Sequence, residues 1–180
     1  MTTIKKNYSM DSHRSIVVRE SFAKKNGNWV LTKKWFLEYE PYEYTEENII
    51  LLSQKIRDNL NPKFLSVKYR EKNKTNPMFG HCYHSTQALY YFFLGDEIPS
   101  LKSYSGIDEE NNTHWWLQDN EKIIDVTSEQ YNFIKCPPPY SVGKPTKWYG
   151  WRNRPHKRSM QLMKNIEELN ANLYCEKYET

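Results

Sequence analysis

The 180-residue sequence has only three cysteines, and their spacing excludes two common uses of cysteine. Cys82, Cys136 and Cys175 are an odd number and include no CxxC pair. Such a set is a poor disulfide framework and a poor zinc framework. We therefore expect a reducing, cytoplasmic setting without metal or cofactor, in which a lone cysteine close to a histidine is a candidate nucleophile.

Long apolar runs are also missing. No stretch approaches the roughly 18 apolar residues of a membrane helix, and the basic residues near Met1 are not followed by an apolar core, so we expect neither a membrane span nor a secretory signal. The mean hydropathy is −0.91, yet 6 Trp, 14 Tyr and 7 Phe are unlike a disordered chain. The length and these aromatic residues predict a single domain over residues 1–180.

Acidic residues are absent from residues 130–166, which contain eight Lys and Arg and therefore carry a charge of +8. Because the whole chain has a formal net charge of +4, the rest of the chain carries −4. The basic C-terminal segment, residues 136–180, is a candidate surface for nucleic acid or a host protein, with Arg154, Lys157 and Arg158 as its candidate anion-binding residues. The alternative is an ordinary solvated surface. We expect this segment to contain a helix opened by Pro155 and to lie apart from the catalytic region.

The order of elements predicts an α+β fold. Residues 1–28 form a polar N-terminal extension, Thr45 caps a helix that ends near Asn61, and residues 63–79 are basic and extended or looped. Gly80 precedes a buried helix that begins near Cys82 and ends at Gly95. Three strands follow, over residues 101–104, 113–118 and 122–126, and a hairpin turn joins the last two.

Three residues in this order carry the chemistry: Cys82, His114 and Asp125. The positive end of a helix dipole and a neighbouring imidazole both favour a thiolate, and Cys82 lies at a predicted helix start. His114 opens one strand of the predicted hairpin and Asp125 ends the other, so the two are predicted neighbours. A carboxylate there would hold the imidazole tautomer, as in a catalytic triad.

These residues also carry a family resemblance. Gly80-His81-Cys82 before an apolar helix, His114-Trp115-Trp116-Leu117 on a strand and Ile123-Ile124-Asp125-Val126-Thr127 resemble the core of the transglutaminase-like, papain-like superfamily. The resemblance covers residues 80–131. It implies a catalytic core with the cysteine at a helix N-terminus packed on a small antiparallel sheet, and a peptide or amide substrate.

A second resemblance is to a family of bacteriophage and bacterial proteins. It extends over the pattern from Asp125 to Tyr131 and the late Pro155-His156-Lys157-Arg158. It implies no reaction, and it places the protein in the host cytoplasm if a phage encodes it.

The sequence therefore predicts a cysteine hydrolase or acyltransferase of the peptidase, amidase, deamidase or transglutaminase type. The candidate substrate-binding residues are Gly80, Tyr83, His84 and Trp115. The alternative from another class is an accessory protein without enzymatic activity that binds nucleic acid or a host factor through the basic C-terminal segment. A metal site at His81, Cys82 and His84 is disfavoured, because adjacent residues on a helix point about 100° apart.

Overall fold

The computed structural model describes residues 15–149, 155–167 and 171–178. Within them, two antiparallel sheets and four α-helices form an α+β fold, as the sequence predicts. The helices are α1 (Glu46–Asp58), α2 (Val67–Asn73), α3 (Cys82–Phe92) and α4 (Lys157–Ile166). The strands are β1 (Ser15–Lys25), β2 (Asn28–Tyr39), β3 (Leu101–Ile107), β4 (Thr113–Asp119), β5 (Lys122–Ile124), β6 (Lys144–Pro145) and β7 (Asn172–Lys177).

The predicted hairpin and its neighbouring strand form the sheet with the order β5-β4-β3-β6. Asp119 pairs with Lys122 across the β4–β5 turn, and Asn120 has a φ of 52°, the left-handed conformation that asparagine tolerates in tight turns. The central strand, β4, contributes the fully buried Trp115, Trp116 and Leu117. Helix α3 packs on this strand and also against α1 and α4, so the predicted arrangement of a helix on an antiparallel sheet is confirmed.

The second sheet, with the order β1-β2-β7, was not predicted. Residues 15–28 belong to a long hairpin instead of the polar extension expected over residues 1–28, and its turn is Asn26-Gly27 with φ values of 49° and 83°. Two consecutive residues with positive φ match the twist of a two-residue hairpin. Leu37 and Tyr39 of β2 are fully buried in the same core as α3, so this sheet is part of the domain.

The segment 63–79, predicted to be extended or looped, contains α2. The sequence of this segment has little helical pattern, because α2 is only 7 residues long and its buried residue, Asn73, is polar. The Asn73 amide Nδ2 donates hydrogen bonds to the carbonyl oxygens of Pro77 at 2.8 Å and Phe79 at 3.1 Å. These bonds fold the chain after α2 back towards α3.

The two other predicted helices are confirmed. The Thr45 hydroxyl accepts from the backbone N–H of Asn48 at 3.2 Å and caps α1. Helix α4 begins two residues after Pro155, and Nδ1 of His156 accepts from the backbone N–H of Arg158 at 3.1 Å. In the described part of the chain, no helix is long and apolar enough to cross a membrane.

Candidate active site

Cys82 is the first residue of α3 and is 6% exposed. The chain reaches it through Gly80, whose φ is 81°. The Cys82 thiol lies 3.7 Å from the carbonyl oxygen of Thr113, the residue before His114. At a helix start the first backbone N–H groups have no intrahelical acceptor, and their positive partial charge favours a thiolate. The sequence-based placement of Cys82 at a helix N-terminus is therefore confirmed.

His114 lies on β4 and is 1% exposed. Its ring stacks on Trp116, at 5.9 Å between centroids, and meets the edge of Tyr131 at 5.0 Å. These aromatic neighbours fix the ring plane. Cys82 is among the groups that raise the pKa of His114, and its thiol lies beside the backbone of the preceding residue, Thr113, so β4 and the start of α3 bring the imidazole near the thiol.

Asp125 follows β5 directly and accepts from His114, with 2.6 Å between Nε2 and Oδ2. The same carboxylate oxygen accepts from the Tyr140 hydroxyl at 2.7 Å, and the other accepts from the Thr127 backbone N–H at 2.9 Å. The predicted contact between His114 and Asp125 is thus confirmed. Because both carboxylate oxygens have donors, Asp125 is held in one orientation and directs the Nε2 proton of His114 towards itself.

Gln130 is a site residue to which sequence reasoning assigned no role. Its Nε2 lies 3.2 Å from Nδ1 of His114 and also donates to the Thr127 carbonyl oxygen at 2.9 Å. The carbonyl contact identifies this atom as the amide nitrogen, so it presents an N–H to Nδ1. The two ring nitrogens of His114 therefore face Asp125 and Gln130. A glutamine side chain has no feature that marks it as a site residue in a sequence. Gln130 lies next to His114 because of the turn that follows Asp125.

The loop before α3 is tied to Gln130 by a second buried amide. Nδ2 of Asn76 donates to the Gln130 carbonyl oxygen at 2.9 Å. The segment that positions Cys82 and the segment that contacts His114 are thus joined by a direct hydrogen bond. This bond fixes the two halves of the candidate site relative to each other.

Electrostatics at His114 favour the imidazolium. Burial alone would lower its pKa, but the hydrogen bonds with Asp125 and Cys82 and the negative charge of both groups raise the pKa to about 10. A protonated imidazole beside Cys82 stabilises the thiolate by charge attraction. The arrangement can therefore hold a thiolate–imidazolium pair, with Asp125 as the second anion next to the ring.

The four candidate substrate-binding residues lie together. Gly80, Tyr83, His84 and Trp115 all line a cleft of about 440 Å³ that also exposes Cys82. Trp115 has 1% of its surface exposed and forms part of the cleft floor. His84 is mainly a packing residue: its Nδ1 lies 3.3 Å from the Ser159 hydroxyl, and burial, with help from His156 and Arg158, lowers its pKa to about 3.

The candidate anion-binding residues do not form one group. Arg154 lies outside the described residues, Lys157 is 5.5 Å from the ring centroid of Trp35 on β2, and Arg158 lines the cleft next to Cys82. The expected separation between the basic segment and the catalytic region therefore does not hold for Arg158. Binding of nucleic acid or a host protein through residues 136–180 stays a prediction.

The histidines near Cys82 do not form a metal centre in the described ranges, where no group of three or more His, Cys, Asp and Glu side chains is arranged to hold an ion. His81 is 1% exposed, and neither ring nitrogen has a hydrogen-bond partner. Burial lowers the pKa of His81 to about 4, which keeps the ring neutral. His81 therefore fills space at the start of α3 without sharing a ligand set with Cys82.

Comparisons with protein-family models, with curated proteins and with solved structures found no match for the chain. The interpretation of the site consequently depends on its geometry and chemistry.

Gly80→Ala should destabilise the protein by more than Gly27→Ala does. Both glycines have a φ near 80°, but an added Cβ at Gly27 meets nothing within 4 Å, whereas at Gly80 it lies 3.0 Å from Cβ of Tyr69. The left-handed backbone costs each variant about 1–2 kcal/mol, and the contact with Tyr69 adds to this at Gly80. Urea unfolding of both variants measures the difference. Equal destabilisation of the two variants would show that the Tyr69 side chain moves away from the added Cβ without a cost in stability.

Proposed function

We propose that the protein is a thiol-dependent acyl-transfer enzyme of the cysteine hydrolase or acyltransferase class, with a papain-like catalytic core. The observation that carries this proposal is the hydrogen-bonded pair His114–Asp125 next to Cys82, which lines a cleft. A nucleophile, a base that contacts it and a carboxylate that orients the base are the three parts that nucleophilic acyl transfer needs.

The reaction begins with transfer of the Cys82 proton to Nδ1 of His114. The Cys82 thiolate then attacks the carbonyl carbon of a peptide or amide substrate, the C–N bond breaks, and the leaving amine takes the proton from Nδ1. This step leaves a thioester on Sγ and a neutral imidazole. Water or a second amine attacks the thioester, His114 takes a proton from the attacking group, and the proton returns to Sγ as the thioester bond breaks.

The oxyanion of each tetrahedral intermediate needs hydrogen-bond donors. The backbone N–H of Cys82 is the candidate donor, because the first amides of α3 have no intrahelical acceptor and point towards the positive end of the helix dipole. The Gln130 N–H can donate to Nδ1 of His114 only while the ring is neutral, which is its state after the leaving amine has taken the proton. Gln130 therefore acts as a positioning residue that holds the neutral ring for the attack on the thioester.

Selective alkylation of Cys82 at pH 6 tests the proposal. An ordinary thiol has a pKa of about 8.5 and forms little thiolate at pH 6, whereas Cys82 has the imidazolium and the helix start beside it. Iodoacetamide followed by peptide mass spectrometry should modify Cys82 first, ahead of the exposed Cys175 and the buried Cys136. In the urea-unfolded protein the three rates should converge. Alkylation of native Cys82 at or below the rate of Cys175 would exclude it as the nucleophile.

A further inference from the structure

The cleft next to Cys82 has an unbalanced charge. Lys68 on α2 and Arg158 on α4 both line it, and no Asp or Glu among the described residues does. Nζ of Lys68 lies 4.5 Å from the ring centroid of Tyr69, and the salt bridges found in the described ranges include neither cation. Two cations without counter-ions therefore face the space where a substrate would lie.

Three acidic residues close in sequence to residues that line the cleft or to the candidate triad have other partners. Asp108, buried at the β3–β4 turn, accepts from the backbone N–H groups of Glu110 and Asn112 and from the Tyr131 hydroxyl. Glu110 pairs with Lys72 at 3.6 Å. Since Asp125 is committed to His114 and Tyr140, none of these carboxylates neutralises Lys68 or Arg158.

The rest of the cleft wall is largely apolar. The buried Phe64, Leu65 and Phe79 line it, together with the buried Trp115 and the 62% exposed Tyr149. His84 and His156 also line the cleft, and burial lowers the pKa of each well below 7, so they add no charge at neutral pH. The cleft volume, about 440 Å³, is within the range of clefts that bind small-molecule ligands.

We propose that the acyl donor of this enzyme is a peptide segment with acidic side chains, and an aromatic or aliphatic one, close to the scissile amide. This inference rests on the proposed acyl-transfer function and names its substrate class. Lys68 on α2 and Arg158 on α4 bind the acidic groups, and the aromatic lining contacts the apolar side chain. A peptide fits better than a nucleic acid because the reaction needs an amide carbonyl and the described cleft offers only two cations.

Two alkylating agents measure the charge preference without a substrate. Iodoacetate and iodoacetamide react with a thiolate in the same way and are nearly equal in size, but only iodoacetate is anionic. The rate constant for iodoacetate divided by that for iodoacetamide, both at Cys82, measures the attraction of an anion to the cleft. This ratio should fall by about tenfold in the Lys68→Gln, Arg158→Gln double variant at low ionic strength. The matched control is Lys24→Gln, Lys102→Gln, which removes the same net charge at exposed positions outside the cleft and should leave the ratio unchanged.

A substrate experiment completes the test. Fluorogenic peptides that differ only by Glu or Gln beside the scissile amide should differ about tenfold in kcat/KM, and the double variant should abolish that difference. Where turnover is too slow to follow, protection of Cys82 from iodoacetamide by the Glu peptide replaces it as the readout.

The outcomes separate this inference from the proposed function. An unchanged iodoacetate ratio in the double variant overturns the inference even if Cys82 is highly reactive. Protection of Cys82 by an oligonucleotide but not by the Glu peptide also overturns it. In contrast, a native Cys82 no more reactive than Cys175 at pH 6 removes the acyl-transfer function itself.

Discussion

Replacement of His114 by glutamine should lower the rate of Cys82 alkylation at pH 6 by about a hundredfold. In the wild type the imidazolium stabilises the thiolate, whereas an ordinary thiol with a pKa of about 8.5 is well under 1% thiolate at this pH. Peptide turnover should fall by about 10²–10⁴, because the general base and acid is lost as well. Glutamine keeps an amide that Asp125 can bind, so the variant should fold.

The pH profile distinguishes this effect from a general distortion. Hydrogen bonds with Asp125 and Cys82 outweigh burial and raise the pKa of His114 to about 10, so the wild-type imidazolium persists to about pH 9, and we expect the rate of Cys82 alkylation to depend less on pH than in His114→Gln. In His114→Gln the rate should instead rise about tenfold per pH unit below the thiol pKa. Cys175, which is exposed on β7 and does not line the cleft, serves as the internal reference in the same sample. A parallel, pH-independent loss of rate at Cys82 would contradict the ion-pair assignment.

The parts of the fold that the sequence predicted are those with a strong local pattern. Thr45 followed by acidic residues predicts the start of α1, and the turn residues Asp119-Asn120-Glu121 predict the β4–β5 hairpin. In each case the information lies within a few residues, as caps and tight turns require. Local chemistry was sufficient for these elements.

The second sheet was missed for two different reasons. The turn Asn26-Gly27 is itself a strong hairpin signal, but the residues next to it, Lys24, Lys25 and Asn28, are polar and show no strand pattern. Strand β7 has no such signal. It is formed because its backbone pairs with β2, for example Cys175 with Trp35, and this pairing joins residues that are far apart in the sequence.

The catalytic candidates were predictable, and their supporting residues were not. Cys82, His114 and Asp125 have reactive side chains at recognisable positions of a helix and a hairpin. Gln130 and Tyr140 contact His114 and Asp125 through ordinary amide and hydroxyl groups. Such groups occur throughout a polar sequence, and only the path of the chain after β5 selects these two. The same limitation applies to Arg158, which α4 places at the cleft.

Asp125→Asn should reduce peptide turnover by about 10²–10⁴ while leaving the protein folded. Asparagine keeps an oxygen for the Thr127 N–H, so its NH₂ group replaces the oxygen that faces Nε2 of His114 and the Tyr140 hydroxyl. The hydroxyl can rotate to accept from that NH₂ group. The His114 ring must move its proton from Nε2 to Nδ1, where it faces Cys82 and can no longer accept the thiol proton. Alkylation of Cys82 at pH 6 should therefore also fall.

Asp119→Asn is the matched control for this variant. Asp119 lies at the other end of the same hairpin and also accepts from a tyrosine hydroxyl, that of Tyr44, at 2.9 Å. The loss of one charged hydrogen bond costs each variant roughly 1–3 kcal/mol of stability, which urea unfolding measures, but only Asp125→Asn changes the proton position on His114. If Asp125→Asn unfolds the protein or leaves Cys82 as reactive as in Asp119→Asn, then Asp125 is a structural cap for the turn at Thr127 and the triad assignment is wrong.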